Sequence, residues 1–478
     1  MDLVSEPEKR RPPFLFYGSI AAFTAVLAVY SQTWAYTGDE GFHLLAAQLI
    51  RRGMRPYLDF CFPQAPLNAY WSAAWMSILG ESWRVPHLIS ALLTGGAVLL
   101  IADFVFKRLS VPGPWRTACS LAAGLLFGLN AQVFGFAPLG QAYGLCLLLL
   151  AAAFRATVAA TERSAAIWAA VAGFCAGAAG AASLLAAPAA PVLFLWIVFR
   201  SGPGRLKNAT AFAAAAVIPW IPVIWLFFQG PRQTWFNLVE YHAKYRKLYW
   251  SETTQHDLEV MASWIDSGQS LLLGSLAVAG LWAFRSRLYL STCLAIAICV
   301  ALGFAHPTFP RYYLLAAPFF AIPAAAGLYA VSARLGARTP AVSLIVVLIL
   351  TTGCLAKFLY ERRENYTWPD YEEVARKIDR ATPPHGVVFA NEITYFIMRR
   401  RPVSGLEFYY DRLVPLPPAQ LALLHIMPQK EVERRLSSGF FDTVYICEDD
   451  DTYDRLGLPK LYRHREELED CSLFSDRR

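Results

Sequence analysis

Apolar runs long enough to cross a bilayer, about 20 residues at 1.5 Å each, follow one another from Phe14 almost without pause to Leu359. Such a chain cannot hide its apolar surface in one small core, and it implies a polytopic α-helical membrane protein. Charge divides it further. Only 17% of the 478 residues are charged, against about a quarter in an ordinary soluble domain, and 40 of the 79 Asp, Glu, Lys and Arg residues lie from Glu361 onward. A transmembrane domain at 1–360 and a soluble domain at 361–478 are expected. The first run, about 14–36, follows Lys9, Arg10 and Arg11 and is too long for a signal-peptide core, so it reads as an anchored span. No uniformly basic face suggests nucleic acid.

Loop charge sets the threading, because short cytoplasmic loops collect Lys and Arg. Basic loops recur at 9–11, 107–116, 155–163, 200–207, 285–287 and 334–338, while the connections at 131–138 and 181–184 carry no Lys or Arg. Strict alternation then requires that 66–80 does not cross. Its Tyr70, Trp71 and Trp75 favour the headgroup region, so it is expected as an interfacial helix within a first exported loop at 37–84. About 11 transmembrane helices follow, at 14–36, 85–106, 117–136, 138–158, 164–181, 184–199, 209–228, 268–284, 288–305, 311–332 and 339–358. The N-terminus is then cytoplasmic and the C-terminal domain extracytoplasmic, with a second exported loop at 229–267. In the tail, helical stretches at 369–380, 393–400 and 430–437 alternate with strands at 386–390 and 443–447, giving a small C-terminal α/β domain. The nine cysteines show no CxxC spacing; Cys447 and Cys471, the pair in the tail, could form a disulfide, but two free thiols are the expectation.

Little in the spans can titrate beyond Asp103, whereas carriers commonly place acids, His or Arg at mid-membrane. The sharpest polar cluster is Asp39-Glu40-Gly41-Phe42-His43, where the first span leaves the membrane. A carboxylate there could take a proton from an acceptor hydroxyl. Asp39 could equally be the N-cap of the helix that follows. Asp39, Glu40 and His43 could instead hold a divalent metal, although one turn supplies all three; no other cofactor is expected. The run Glu448-Asp449-Asp450-Asp451 lacks the spaced ligands of a calcium loop and reads as a solvated turn.

The stretch from Asp39 through Arg55-Pro56-Tyr57-Leu58-Asp59-Phe60 to Pro66 resembles the first exported loop of the GT-C glycosyltransferases, in the branch of protein mannosyltransferases and bacterial aminoarabinose and lipopolysaccharide-core sugar transferases. His306-Pro307-Thr308-Phe309-Pro310-Arg311-Tyr312-Tyr313 is similar to the family's late outward turn, and Glu240 to Lys247 fits its long second loop. Two departures stand out: Pro138-Leu-Gly-Gln141 lies where many relatives carry a second acid, and Gln64-Ala-Pro66 lacks a cation found in some branches.

The resemblance implies an inverting transferase moving a sugar from a polyprenyl-phosphate donor to a glycan, lipid or protein hydroxyl at the outer face of a bacterial inner membrane. By the same resemblance Asp39 is the general base and Glu40 orients groups beside it. Arg311 with Tyr312, then His242, Lys244, Arg246 and Arg55, would hold the donor phosphate, and Asp59 and Tyr57 would structure the loop. Basic outward loops can also be plain solvated surface. A lipid-linked sugar flippase and a surface polysaccharide polymerase or ligase are the rival readings.

Overall fold

The computed structural model describes residues 12–249, 253–337, 339–468 and 470–478. The basic residues 9–11 and Arg338, used above to sign two loops, lie outside the described residues. The chain is mostly helical and divides into two compact units.

The first unit comprises residues 12–35, 87–222 and 253–365. Helical structure occupies all of the apolar stretches from 14 to 358, several of them in pieces. Near residue 130, for instance, the helix Gly113–Gly128 stops and Ala131–Phe136 starts afresh, because the Asn130 side chain accepts the Gln132 and Val133 amides at 3.1 and 3.4 Å. Among the described residues, five helices are long and apolar enough to cross a membrane: Phe14–Thr33, Arg84–Arg108, Tyr143–Arg163, Gly202–Gln229 and Pro340–Glu361. A bent pair, Thr254–Ile265 and Gly268–Phe284, makes a sixth if it is one span, and Ala166–Ala182, Leu184–Arg200 and Tyr289–Gly303 are shorter apolar helices.

Small residues let these helices approach closely. The helices Gly268–Phe284 and Ala317–Arg334 cross where Gly280 faces the Pro323 carbonyl and Gly327 faces the Leu276 carbonyl; a Cβ at either glycine would overlap backbone. Meanwhile Val26, Val29, Val278, Trp282, Val342, Ile345 and Ile349 are exposed. So much uncovered apolar surface on helices of this length belongs against lipid, and the chain is an integral membrane protein. Asp103 is buried but ion-paired, to Arg155 at 2.7 Å and Lys107 at 3.0 Å.

The second unit gathers residues 36–86, 223–249 and 366–478. Its helix Leu67–Leu79, the segment expected not to cross, packs on Glu40–Arg51. Leu45, Leu49, Tyr57 and Phe60 share one core with Val388, Tyr395 and Tyr445, so the first exported loop and the tail fold together. Trp83 stacks on Trp368 with ring centres 5.1 Å apart. The Gln48 carboxamide donates to Glu81 at 2.7 Å and to the Phe396 carbonyl at 2.9 Å.

The tail carries a four-stranded sheet, β1 (Val388–Phe389), β2 (Thr443–Ile446), β3 (Tyr462–Leu468) and β4 (Cys471–Arg477), in the order β1-β2-β4-β3. β1 and β2 are parallel, and β4 runs antiparallel to both β2 and β3. One expectation is corrected here: Cys447 and Cys471 form a disulfide rather than two free thiols. The pairing of Ile446 with Ser472 brings the next residue of one strand opposite the preceding residue of the other.

Candidate active site

Asp39 stands at the N-terminus of the helix Glu40–Arg51. Its side chain makes no capping hydrogen bond to that helix, so the N-cap role offered by its position is not what the carboxylate does. It is half-buried, and Glu40 behind it is fully buried. The helix Glu392–Met398 meets this turn closely: a Cβ on Gly41 would collide with the Ile393 side chain and come within 3.1 Å of its backbone nitrogen. Two helix N-termini therefore lie together, with Glu392 beside Asp39.

Burial raises the Glu392 carboxyl above its ordinary value; the Arg412 charge opposes the rise and the Asp39 charge adds to it. The Tyr409 amide donates to Glu392 at 2.6 Å. Further acids follow. Burial pushes Glu407 up to about 7 and Asp411 well above the usual carboxylate range, with Glu392 and Glu407 reinforcing Asp411 while the Cys61 thiol and Arg412 oppose. Arg412 is itself buried, its guanidinium 4.4 Å from the Tyr409 ring centre. Clustered acids whose ionisation is disfavoured mark a functional centre more often than a structural one.

None of Glu392, Glu407, Asp411 and Arg412 was a candidate in the sequence. Asn391-Glu392 ahead of an apolar helix is an ordinary helix start, and the Asn391 side chain does cap, accepting the Thr394 amide at 3.0 Å. Only the fold sets it against residue 39.

His43 is buried against Phe42 and Phe62, and burial lowers it to about 3. It is a neutral packing group. Among the described residues no three His, Cys, Asp or Glu side chains converge as a metal site, so the Asp39, Glu40 and His43 ligand set is set aside. The acid run at 448–451 is a helix start, with Asp449 accepting the Thr452 amide at 2.8 Å and Asp450 paired with Arg465 at 2.6 Å.

In the first loop, Asp59 accepts the Arg55 backbone amide at 2.7 Å and its guanidinium at 2.9 and 3.0 Å, while Arg55 also donates to Gln229 at 3.0 Å. Tyr57 is fully buried at φ 71° and donates to the Gln64 carbonyl at 2.6 Å. In the second loop a short α-helix, Pro231–Trp235, runs into a wide π-helical stretch, Phe236–Tyr245. There Glu240 binds Arg232 and Lys244, and burial together with the Arg246 charge lowers His242 to about 4.

The first unit holds the other cations. Arg311 opens the 3-10 turn Pro310–Leu315, its guanidinium 4.3 Å from the Phe309 ring centre, with Tyr312 buried next to it. Asp257 fixes the approach to this turn by accepting the Thr308 amide at 2.7 Å and binding His306. Arg362, half-buried over Phe136 and Phe358, is close enough to Arg311 for their charges to repel. Two cations held near each other suit a multiply charged anion. Arg362 gave no sequence signal because it stands in the charged run that ends the last apolar helix. Gln141 is buried, and its Nε2 has no hydrogen-bond partner.

No protein-family model and no curated protein matches the chain. Solved structures do. ArnT from Cupriavidus metallidurans bound to undecaprenyl phosphate superposes with a TM-score of 0.69 at 14% identity, over 96% of this chain and 97% of that one. The same protein in the apo state gives 0.68 and 15%, over 96% and 98%. The Archaeoglobus fulgidus oligosaccharyltransferase tethered to an acceptor peptide gives 0.51 at 10%, over 91% of this chain and 69% of that one. The chain has the fold of ArnT, and the likeness covers both units.

Proposed function

We propose that the protein is a membrane glycosyltransferase that moves a sugar from a polyprenyl-phosphate donor to an acceptor hydroxyl, with inversion. The observation that carries this reading is Asp39: a carboxylate at a helix start that does not cap its helix, set beside a second carboxyl, Glu392, whose ionisation burial disfavours. Asp39 is the base. It takes the acceptor's proton while the acceptor oxygen bonds to the anomeric carbon and the bond from that carbon to the phosphate oxygen breaks. The products are an inverted glycoside and a free polyprenyl phosphate, and no covalent intermediate is needed. Glu392 and the buried Glu40 position Asp39.

The leaving phosphate needs fixed positive charge. Arg311 and Arg362 supply it with Tyr312, and Arg246 and Lys244 are secondary. His242 stays neutral at physiological pH, and Arg55, engaged by Asp59 and Gln229, holds the loop. No metal is required by this scheme.

The second unit works on the extracytoplasmic side, for which the Cys447–Cys471 disulfide is an argument independent of loop charge: such bonds persist in oxidising compartments. The N-terminus is then cytoplasmic, with eleven crossings in a bacterial inner membrane. The test is transfer from a panel of radiolabelled polyprenyl-phosphate sugars by reconstituted protein, scoring labelled acceptor and released lipid phosphate. Arg311→Ala should weaken donor use, and Asp39→Asn should abolish transfer while lipid binding persists. Undiminished transfer by Asp39→Asn would sink the mechanism.

A further inference from the structure

At the carboxyl ends of β1 and β2 the second unit holds a cavity of about 310 Å³. Ala390 and Asn391 line it where the chain leaves β1, and Cys447 and Glu448 line it where the chain leaves β2. Crevices at the carboxyl ends of parallel strands are where open α/β sheets bind their ligands. Arg412 lines the cavity, is only 7% exposed, and has no hydrogen-bond partner for its Nε. Its guanidinium lies 4.4 Å from the Tyr409 ring centre and 5.3 Å from that of Phe389, and its charge also acts on Glu392 and Asp411. A buried donor left open in this way calls for an acceptor from outside the chain.

The lining chooses among ligands. Both helices that start at the cavity already cap themselves, through Asn391 on Thr394 and Asp449 on Thr452. Asp451, in the first turn of the second helix, and Glu448 beside it disfavour an anion where a phosphate would otherwise bind. Arg455 lies 3.5 Å from Glu433. The polar groups of the wall include the Arg412 guanidinium, the Asn391 carboxamide, whose oxygen is taken by the Thr394 amide, the Gln429 carboxamide, which donates to Glu433 at 3.3 Å, the Glu448 carboxylate, and Tyr409, whose ring is 38% exposed. Planar polar groups bond adjacent hydroxyls in pairs, and an aromatic face accepts the C–H side of a saturated ring.

We propose that this cavity binds one uncharged sugar ring of a glycan. Its assignment to the acceptor rests on the transferase reading above; ring binding itself does not. The test is saturation-transfer NMR on the full-length protein in detergent, with the methyl glycosides of glucose, galactose, mannose and N-acetylglucosamine as probes and inorganic phosphate as competitor. At least one glycoside should bind saturably in the millimolar range. Tyr409→Ala, at an exposed position, should weaken that binding about tenfold, and Arg412→Lys, which keeps the charge and loses the fork, should weaken it as well. Asp39→Asn should bind as the wild type does. The proposal is overturned if no glycoside saturates, if neither cavity variant weakens binding, or if phosphate displaces the glycoside. Glycoside binding in a protein that transfers no sugar would remove the transferase reading and leave this one standing.

Discussion

In the first unit the buried acids are matched: Asp103 lies between Arg155 and Lys107, and Asp257 between His306 and the Thr308 amide. In the second, Glu392 and Asp411 share the charge of Arg412 and Glu407 has that of Arg401, yet burial holds the protons of all three more tightly than in water. A matched charge fixes a helix end or a turn and offsets much of its own desolvation. An unmatched cluster costs folding energy, and such costs persist where chemistry needs them. In the reading proposed above, the reactive carboxylates belong to the second unit, and Arg311 and Arg362 to the first.

The largest effect that could break this contrast is in activity. Asp39→Asn should lower transfer by about two to four orders of magnitude, the usual worth of a general base, with a far smaller change in thermal stability, since the carboxylate makes no capping bond to its helix. A fall in Tm matching the fall in activity would make Asp39 a structural residue like Asp103. Next comes the disulfide. Cys447 and Cys471 close a loop of 24 residues, so Cys447→Ser should cost about 3 to 4 kcal/mol on a chain-entropy estimate. That loss should appear in the unfolding of the second unit alone, followed by proteolysis of the tail.

The third prediction concerns pH. Glu407 rises from 4.5 to about 7 on folding, so the folded state binds the extra proton. Its contribution is complete below about pH 4.5 and is lost as pH climbs through 7, which amounts to roughly 3 kcal/mol. The stability of the second unit, from unfolding followed by near-ultraviolet circular dichroism, should therefore fall between pH 5 and pH 8, and Glu407→Gln should flatten that slope. A slope unchanged in the variant would assign the effect to Asp411 or Glu392.

Apolar runs of spanning length were plain in the sequence because a helix in lipid has no alternative use for them, and the helical segments fall on those runs. The segment at 66–80, which loop charge excluded from the spans, holds the 13-residue helix Leu67–Leu79 of the second unit. The charged hairpin of β3 and β4 was not legible: in Tyr462–Leu468 only the two ends are buried, so no alternating pattern marks a strand. Nor was the partnership of Asp39 with Glu392, separated by more than 350 residues and joined only because Gly41 admits Ile393. Asp39 stood out by itself as an acid at the end of an apolar run. Glu392, Glu407, Asp411 and Arg412 did not, because their environment is made by the fold and leaves no trace in spacing.

The smallest expected effect sharpens the comparison from the structural side. Tyr57 sits at φ 71°, a left-handed conformation costly for a bulky side chain. Burial raises its phenol above its ordinary value, and its hydroxyl donates to the Gln64 carbonyl. That bond ties the turn at 57–64 to the core that the first loop shares with the tail. Tyr57→Phe keeps the ring and loses the bond, leaving the Gln64 carbonyl to find another donor, so it should cost about 1 kcal/mol in unfolding measurements. Transfer should stay within about twofold of the wild type, because less than half a kcal/mol would then have reached the reaction barrier. A larger loss of transfer with no loss of stability would move the phenol out of the scaffold and into the site.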